Sequence, residues 1–244
     1  MKSLILAAGY ATRLYPLTRN FPKPLLDVGG KTILDRLLTD LDRLDEVEEH
    51  IIVSNNTFFP YFMAWKNRVG YRKPIHIIND GAESNETRLG AVRDILLVVE
   101  TLSVKDDLLV LAGDNVVDFS FEGFVRFARQ KQTSCITCHH EPSVEALRKT
   151  GVLEMDGSNR VLMLHEKPAN PPTNWAVPPF YFYHASDLTL IRKALTMGCG
   201  FDAPGNLAAW LAKERPVHAW EIPGKRYDIG DVQSYESVQK IFKK

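Results

Sequence analysis

An α/β fold, with a Rossmann-like, mixed and mostly parallel sheet flanked by helices, is the class this sequence predicts. Short apolar runs rich in Leu, Ile and Val recur as "KSLILAA", "EHIIVS", "PIHIIND", "DLLVLAGD" and "TSCITCHH". Segments between them carry apolar residues at helical spacing. Uninterrupted apolar strands alternating with helices indicate a sheet covered on both faces. Ligands of such sheets sit beyond the carboxyl ends of the strands, where Gly9, the "ND" at 79–80 and the "GDN" at 113–115 fall.

Taken in order, "KSLILAA" runs into "LAAGYATRLYPLTRNFPKPL", a long loop where a short turn would suffice. Pro16, Pro22 and Pro24 fix φ and bias their predecessors to extended conformations, so the loop holds Arg13 and Lys23 still. Over residues 31–44, Ile33, Leu34, Leu37, Leu38, Leu41 and Leu44 trace one helical face. "RLGAVRDILLVVETL" and "FEGFVRFARQ" repeat that pattern. After residue 140, "TGVLEMDGSNRVLMLHEKP" reads as a hairpin turning at "DGSN", and "WAVPPFYFYH" as one further strand. Helices are expected near 186–196, 204–214 and 231–243. No repeat, low-complexity tract or linker interrupts the chain, so a single domain over 1–244 is expected, with residues from about 141 to 225 covering the active edge of the sheet.

Thirty basic residues balance thirty acidic ones among 244, so no global field favours nucleic acid or an anionic membrane, and an anion needs a local cluster. No segment reaches the roughly 18 apolar residues of a membrane span. There is no apolar signal core, and a cytoplasmic address is the default. Three cysteines do not make a disulfide framework.

The opening loop carries the chemistry. A loop after a strand can aim successive N–H groups at an anion, and Ala7, Ala8, Gly9 and Ala11 let phosphate reach the backbone. Arg13 adds planar bidentate donation and Lys23 a compact charge. The plainer alternative is a turn with surface charges. A dinucleotide fingerprint is excluded, because only Gly9 of its three glycines is present and the second strand ends in "SNN". "CITCH" at 135–139 fits a haem-attachment pattern, and His140 invites zinc. Strand alternation, however, puts Cys135 and Cys138 on opposite faces, and buried Cys packs as a small hydrophobe.

"LAAGYATRLYPLTRNFPKPLLDVGGKTIL" resembles the signature of the sugar-phosphate nucleotidylyltransferases, a group that includes glucose-1-phosphate thymidylyltransferase and mannose-1-phosphate guanylyltransferase. The likeness continues through "RLGAVRDI", "VLAGDN", "GVLEMD", "EKP" and "YDIGDVQSYE" in the family's order and spacing. It implies the nucleotide-diphospho-sugar transferase fold, with a nucleotide-binding part over about 1–140 and a small acceptor-binding part over about 141–225. A second metal motif and terminal helix would occupy 226–244. It also implies transfer of a nucleoside monophosphate from a nucleoside triphosphate to a phosphorylated acceptor, with release of pyrophosphate. Arg13 and Lys23 would be catalytic, and Leu6, Ala7, Ala8, Gly9, Asn79, Leu89 and Gly90 would hold the nucleotide. Asp114 and Asp228 would hold Mg²⁺, which takes carboxylate and phosphate oxygens together. Asp231 reads instead as a helix N-cap.

By the same resemblance Glu166 and Lys167 of "EKP" would orient the acceptor, with Gly151 and Tyr181 lining its pocket. "VPPFY" departs from the pattern, since Pro178 and Pro179 remove backbone donors and add bulk. The acceptor is expected to be a sugar 1-phosphate. The alternatives are a cytidylyltransferase using a non-sugar phosphate or phosphonate, and a catalytically silent nucleotide-binding subunit. The missing hexapeptide-repeat extension speaks against a second, acyltransferase activity. A homo-oligomer is left open.

Overall fold

A computed structural model describes residues 1–243. The chain opens with β1 (Lys2–Leu6), then the short strands β2 (Asp27–Val28) and β3 (Lys31–Thr32), helix α1 (Ile33–Leu41) and β4 (Glu49–Ser54). Next come α2 (Phe59–Lys66), β5 (Ile75–Asn79), α3 (Ala91–Thr101), β6 (Leu108–Ala112), β7 (Asn115–Val117) and α4 (Glu122–Lys131). Then follow β8 (Ser134–His140), α5 (Val144–Leu147), β9 (Gly151–Met155), β10 (Val161–Glu166), β11 (Trp175–Val177) and β12 (Phe180–Tyr183). The last elements are α6 (Ala185–Leu188), α7 (Ile191–Thr196), α8 (Gly205–Glu214), β13 (Val217–Glu221), β14 (Arg226–Asp228) and α9 (Val232–Phe242).

These elements form two compact units. The first holds residues 1–89, 111–120 and 224–244, and the second 90–110 and 121–223. In the first, strand order is β6-β1-β4-β5, with Leu4 opposite Ile51 and Ile52 opposite Ile77 in parallel register. Continuous burial of Leu4, Ile5, Ile51, Ile52 and Val53 answers their unbroken apolar sequence. Helix α1 starts at an N-cap, where the Thr32 hydroxyl accepts from Asp35 N. It buries Ile33, Leu34, Leu37, Leu38 and Leu41 completely. Each contributes about 1.5–3 kcal/mol on an extended-chain reference, so this stripe far outweighs the cap in anchoring the helix.

In the second unit the order is β10-β9-β11-β8-β12-β6, and β13 lies beside β8. Strand β8 is its spine. Cys135 pairs with Phe182 antiparallel, while Ser134–Cys138 run parallel to Val217–Glu221. The mixed α/β sheet with flanking helices is the class expected from the sequence.

Three details differ from the sequence reading. The expected boundary near 140 does not match the division seen: β8 belongs with the later strands because its partners β11, β12 and β13 all come from beyond residue 170. "WAVPPFYFYH" forms two strands, because Pro178 and Pro179 cannot donate to a ladder. The stretch near 186–196 is two short helices, α6 and α7, and α2 and β13 were not anticipated.

Candidate functional site

In the first unit, the loop after β1 is tied down along its length. Ala7 N donates to Val53 O at 2.9 Å, Asn55 Nδ2 to Ala8 O at 2.9 Å, and Thr18 Oγ1 to Ala11 O at 2.8 Å. Ala11 takes a left-handed φ of 47°, a strained choice for a residue with a Cβ, and leads into a 3₁₀ turn at Thr12–Leu14 whose buried Leu14 anchors it. The Tyr15–Pro16 peptide bond is cis. A second 3₁₀ turn, Lys23–Leu25, buries Lys23, Pro24 and Leu25. The prolines and small residues therefore make an ordered loop, as their sequence demands.

This loop, with residues just after β6 and β14, lines a cavity of about 190 Å³; Leu6, Ala7, Gly9, Arg13, Lys23, Gly113, Asp114 and Gly230 are among its walls. Ala8 is buried beside it and supplies the carbonyl held by Asn55. Lys23 is 6% exposed, and its Nζ lies 2.9 Å from Asp114 Oδ2. Asn115 Nδ2 donates to Asp114 Oδ1 at 2.5 Å. Burial pushes the Asp114 carboxyl up, but the Lys23 ammonium, through charge and hydrogen bond, and the more distant Arg226 outweigh it and hold the group below the ordinary carboxylate range.

Asp228 reaches this edge through β14, whose antiparallel pairing with β7 sets it opposite Asn115. Arg226 lies 3.3 Å from its Oδ2. A Cβ on Gly230 would stand 3.7 Å from Asp228 Oδ2 and 3.9 Å from Arg13 Nη2, so both side chains flank this glycine. Gly113 serves closeness too: a Cβ there would press on Ile5 Cγ2 and Leu6 O, each at 3.0 Å. Sequence reasoning missed Gly113, Gly230 and Asn115; the flanking "GDN" and "DIGD" were the available signal.

The oxygen donors suit magnesium. Asp114 and Asp228 offer hard carboxylates, and the buried Asn115 Oδ1 has no hydrogen-bond partner among the described residues. No cluster of three or more His, Cys, Asp or Glu stands ready among the described residues. That sparse, all-oxygen set fits a cation that keeps waters and takes phosphate oxygens. Asp231 is occupied otherwise, in a capping box with Ser234 at the start of α9.

The remaining nucleotide candidates, Asn79, Leu89 and Gly90, are not among the residues lining this cavity. Asn79 Nδ2 donates to Asn56 Oδ1 at 2.7 Å, and its Oδ1 accepts from Gly81 N at 2.9 Å. Leu89 is half-buried and lines a second cavity of about 260 Å³ with Asp80, Gly81, Ala82, Glu83 and Thr87. Tyr10 Oη secures that loop by donating to Ala82 O at 2.9 Å. Gly90 belongs to the second unit at the N-cap of α3, with φ at 90° and a Cβ position 2.6 Å from Phe201 O. Its surroundings are packing ones.

In the second unit, β9 and β10 set Gly151 opposite Glu166. Lys167 follows with φ at 46°, its N donating to Thr150 O at 3.1 Å and its Nζ 3.6 Å from Glu166 Oε1. Left-handed backbone on a lysine is strain of the kind that collects at functional sites. Tyr181 is buried and stacks on Tyr183 with ring centres 6.0 Å apart. Pro178 is buried and its carbonyl accepts from Thr137 Oγ1 at 3.3 Å. In β8, burial pushes the Cys135 and Cys138 thiols up to about 12, so they are neutral small hydrophobes rather than thiolate ligands.

Comparison with known proteins shows the family and the fold. A model described as "Nucleotidyl transferase" matches residues 2–244. The "Bifunctional protein GlmU" of Methanococcus aeolicus is 31% identical over 235 residues, covering 94% of this chain and 51% of its own length. The "UTP--glucose-1-phosphate uridylyltransferase AglF" of Haloferax volcanii is 26% identical, covering 98% of this chain and 96% of its own. The chain thus spans about half the length of the first of these relatives. A UDP-glucose pyrophosphorylase crystallised with UDP-glucose superposes with a TM-score of 0.85 at 20% identity, covering 99% of this chain and 97% of its own, a likeness of fold.

Proposed function

The chain belongs to the nucleotidyl transferase family, and from that premise we propose that it transfers a nucleoside monophosphate from a nucleoside triphosphate to a sugar 1-phosphate, releasing pyrophosphate. One observation carries the reading. Arg13, Lys23 and Asp114 line a single cleft of about 190 Å³ together with Gly230, beside which Asp228 stands.

A phosphate monoester, with a second pKa of about 6, is already dianionic near neutral pH, so the acceptor needs no protein base. Its oxygen attacks the α-phosphorus in line. As the new P–O bond forms, the bond from the α-phosphorus to the bridging oxygen breaks and pyrophosphate leaves with that electron pair. The protein's task is positioning and charge. Arg13 binds phosphate oxygens with its planar fork. Lys23 gives one of its three N–H donors to Asp114 and keeps the others for phosphate. The backbone of Leu6–Gly9 accepts the polyanion closely. Asp114 and Asp228 would hold Mg²⁺, and the chemistry such an ion would supply there is Lewis-acid neutralisation of the triphosphate. Asn79 and Leu89 address the base, and Glu166, Lys167, Gly151 and Tyr181 hold the acceptor. Among the described residues no helix is long and apolar enough to cross a membrane, and the dependence on nucleoside triphosphate motivates a cytoplasmic assignment.

Pyrophosphate release, assayed with each common nucleoside triphosphate, Mg²⁺ and a panel of sugar 1-phosphates and non-sugar phosphates, tests the reading. Activity with sugar 1-phosphates is expected. It should fall with chelator and by about 10²–10³ in Asp114→Asn. Turnover only with a non-sugar acceptor would favour the cytidylyltransferase alternative, which the Pro178–Pro179 break motivates. Silence with every pair would favour a binding subunit.

A further inference from the structure

Helix α9 follows the turn after Asp228 directly, yet of its 11 residues only Val238 is buried. A helix of that length does not persist alone in water, so tertiary contacts fix its place. They fall at two spots. At its start Asp231 caps it, Ile229 N donates to Asp114 O at 3.4 Å, and the Ile229 side chain is fully buried. Further along, half-buried Tyr235 and Gln239 grip the hairpin of β2 and β3. Tyr235 Oη donates to Asp27 O at 2.7 Å, while Gln239 Nε2 donates to the same carbonyl and, at 2.8 Å, to Tyr235 Oη. Gln239 Oε1 accepts from Gly29 N at 3.4 Å. Every N–H and O–H of the two side chains is used in this ring. Arg36 adds its guanidinium over the Phe242 ring, 4.5 Å from the centroid.

The grip falls where the site is anchored. Asp27 comes just after the Lys23–Leu25 turn. Leu14 beside Arg13, Leu26 and Val28 beyond Lys23, and Ile229 beside Asp228 share one buried cluster with Val238 of α9. Asp228 itself ends β14, a three-residue strand paired with β7 alone, and a two-stranded ribbon is marginal unless something packs on it. We propose that α9 is a clasp for the cation site: Tyr235 and Gln239, by holding the helix to the strand that follows Lys23, set how far Asp228 stands from the Lys23–Asp114 pair. The inference rests on the reading of Asp114 and Asp228 as cation ligands. Neither Tyr235 nor Gln239 lines the cavity, so both are positioning residues. Spacing matters because Mg²⁺ demands oxygens at about 2.0–2.1 Å in near-octahedral geometry, and two carboxylates from separate strands meet that demand only if both strands are held.

Calorimetric titration of the full chain with Mn²⁺ alone, and with the Mn²⁺ complex of inorganic tripolyphosphate, reads the cation site without turnover. Gln239→Glu keeps the shape of the side chain, removes both donors and sets a carboxylate against the Asp27 carbonyl. Its Kd for Mn²⁺ should rise about tenfold, the lower end of what groups outside the coordination shell contribute. The Mg²⁺ concentration for half-maximal pyrophosphate release should rise in step, and excess Mg²⁺ should restore most of kcat. Tyr235→Phe, which deletes one hydroxyl and adds no bulk, should shift both quantities the same way by less, and it decides the matter should Gln239→Glu fail to fold. Ser237→Ala, on the exposed side of α9, is the neutral control. Val98→Ala truncates a fully buried residue of the second unit and should lower Tm with Mn²⁺ binding unchanged. A lower Tm in the two clasp variants with wild-type Mn²⁺ affinity makes α9 structural only and overturns the inference, as does an equal loss of affinity in Val98→Ala. If the wild type binds the complex and the clasp variants weaken it, yet no pyrophosphate is released with any substrate pair, the transferase reading falls and this inference stands. A wild type that binds neither Mn²⁺ nor its complex leaves the clasp nothing to position, and the inference falls.

Discussion

Replacing Lys23 by methionine keeps the length of the side chain and removes its charge. Lys23 is 6% exposed, and its partner Asp114, 2.9 Å away, keeps 41% of its side chain accessible. Breaking a fully buried pair costs about 3–5 kcal/mol, because the abandoned charge stays desolvated. Breaking an exposed pair costs at most about 1 kcal/mol. Half-exposed Asp114 places Lys23→Met between these limits, at about 1–3 kcal/mol. For a chain of this size each kcal/mol lowers Tm by about 2–4 °C, so a drop of several degrees is expected.

The pH dependence follows from the same pair. Burial alone pushes Asp114 up and Lys23 brings it down, so its folded pKa lies below the unfolded value. Such a carboxylate contributes stability above the unfolded pKa, near 3.8, and that stability is lost as pH falls through the folded pKa. In Lys23→Met the Asp114 pKa should rise, so the variant is less stable near neutral pH but its stability should fall less steeply on acidification, the two proteins converging at low pH. Adding Asp114→Asn should recover part of the loss, because the unpaired charge disappears, and a double-mutant cycle by thermal melting measures that coupling. Turnover should fall about 10²–10³-fold if Lys23 stabilises charge at the triphosphate. Wild-type turnover together with additive melting shifts would refute the reasoning.

His50 is fully buried; its Nδ1 lies 2.7 Å from Ser3 Oγ and its Nε2 3.4 Å from Asp42 Oδ1. Burial lowers its pKa below the ordinary 6.5 despite Asp42. The folded state therefore resists protonation, and stability should decline as pH falls below about 6.5, a slope that His50→Gln should flatten in melts taken from pH 8 to 5. Gly29 has φ at 59°, and a Cβ there would sit 2.1 Å from Phe242 O. Gly29→Ala should cost about 2–4 kcal/mol, combining the left-handed penalty with displacement of the end of α9, read as a lower denaturation midpoint; an unchanged midpoint would show that α9 is dispensable.

How much of this was legible beforehand differs from place to place. The cationic loop after β1 was readable because its determinants are local: prolines, small residues and two cations within one stretch. Helix α1 was readable because Ile33, Leu34, Leu37, Leu38 and Leu41 contrast with the polar residues between them. Helix α2 escaped because "FPYFMAWK" is apolar on every side and has no such contrast. The family signature located Asp114, Asp228 and Glu166 without stating what surrounds them.

By itself the sequence determined the alternation of strands and helices, the stiff cationic loop and the likeness to a family, because each follows from the steric and hydrophobic preferences of neighbouring residues. Only tertiary structure decided which chain segments share a unit, that Lys23 meets Asp114, and why position 113 is glycine. Those facts depend on approaches between segments far apart in the chain, where the absent Cβ matters only because of what stands opposite it.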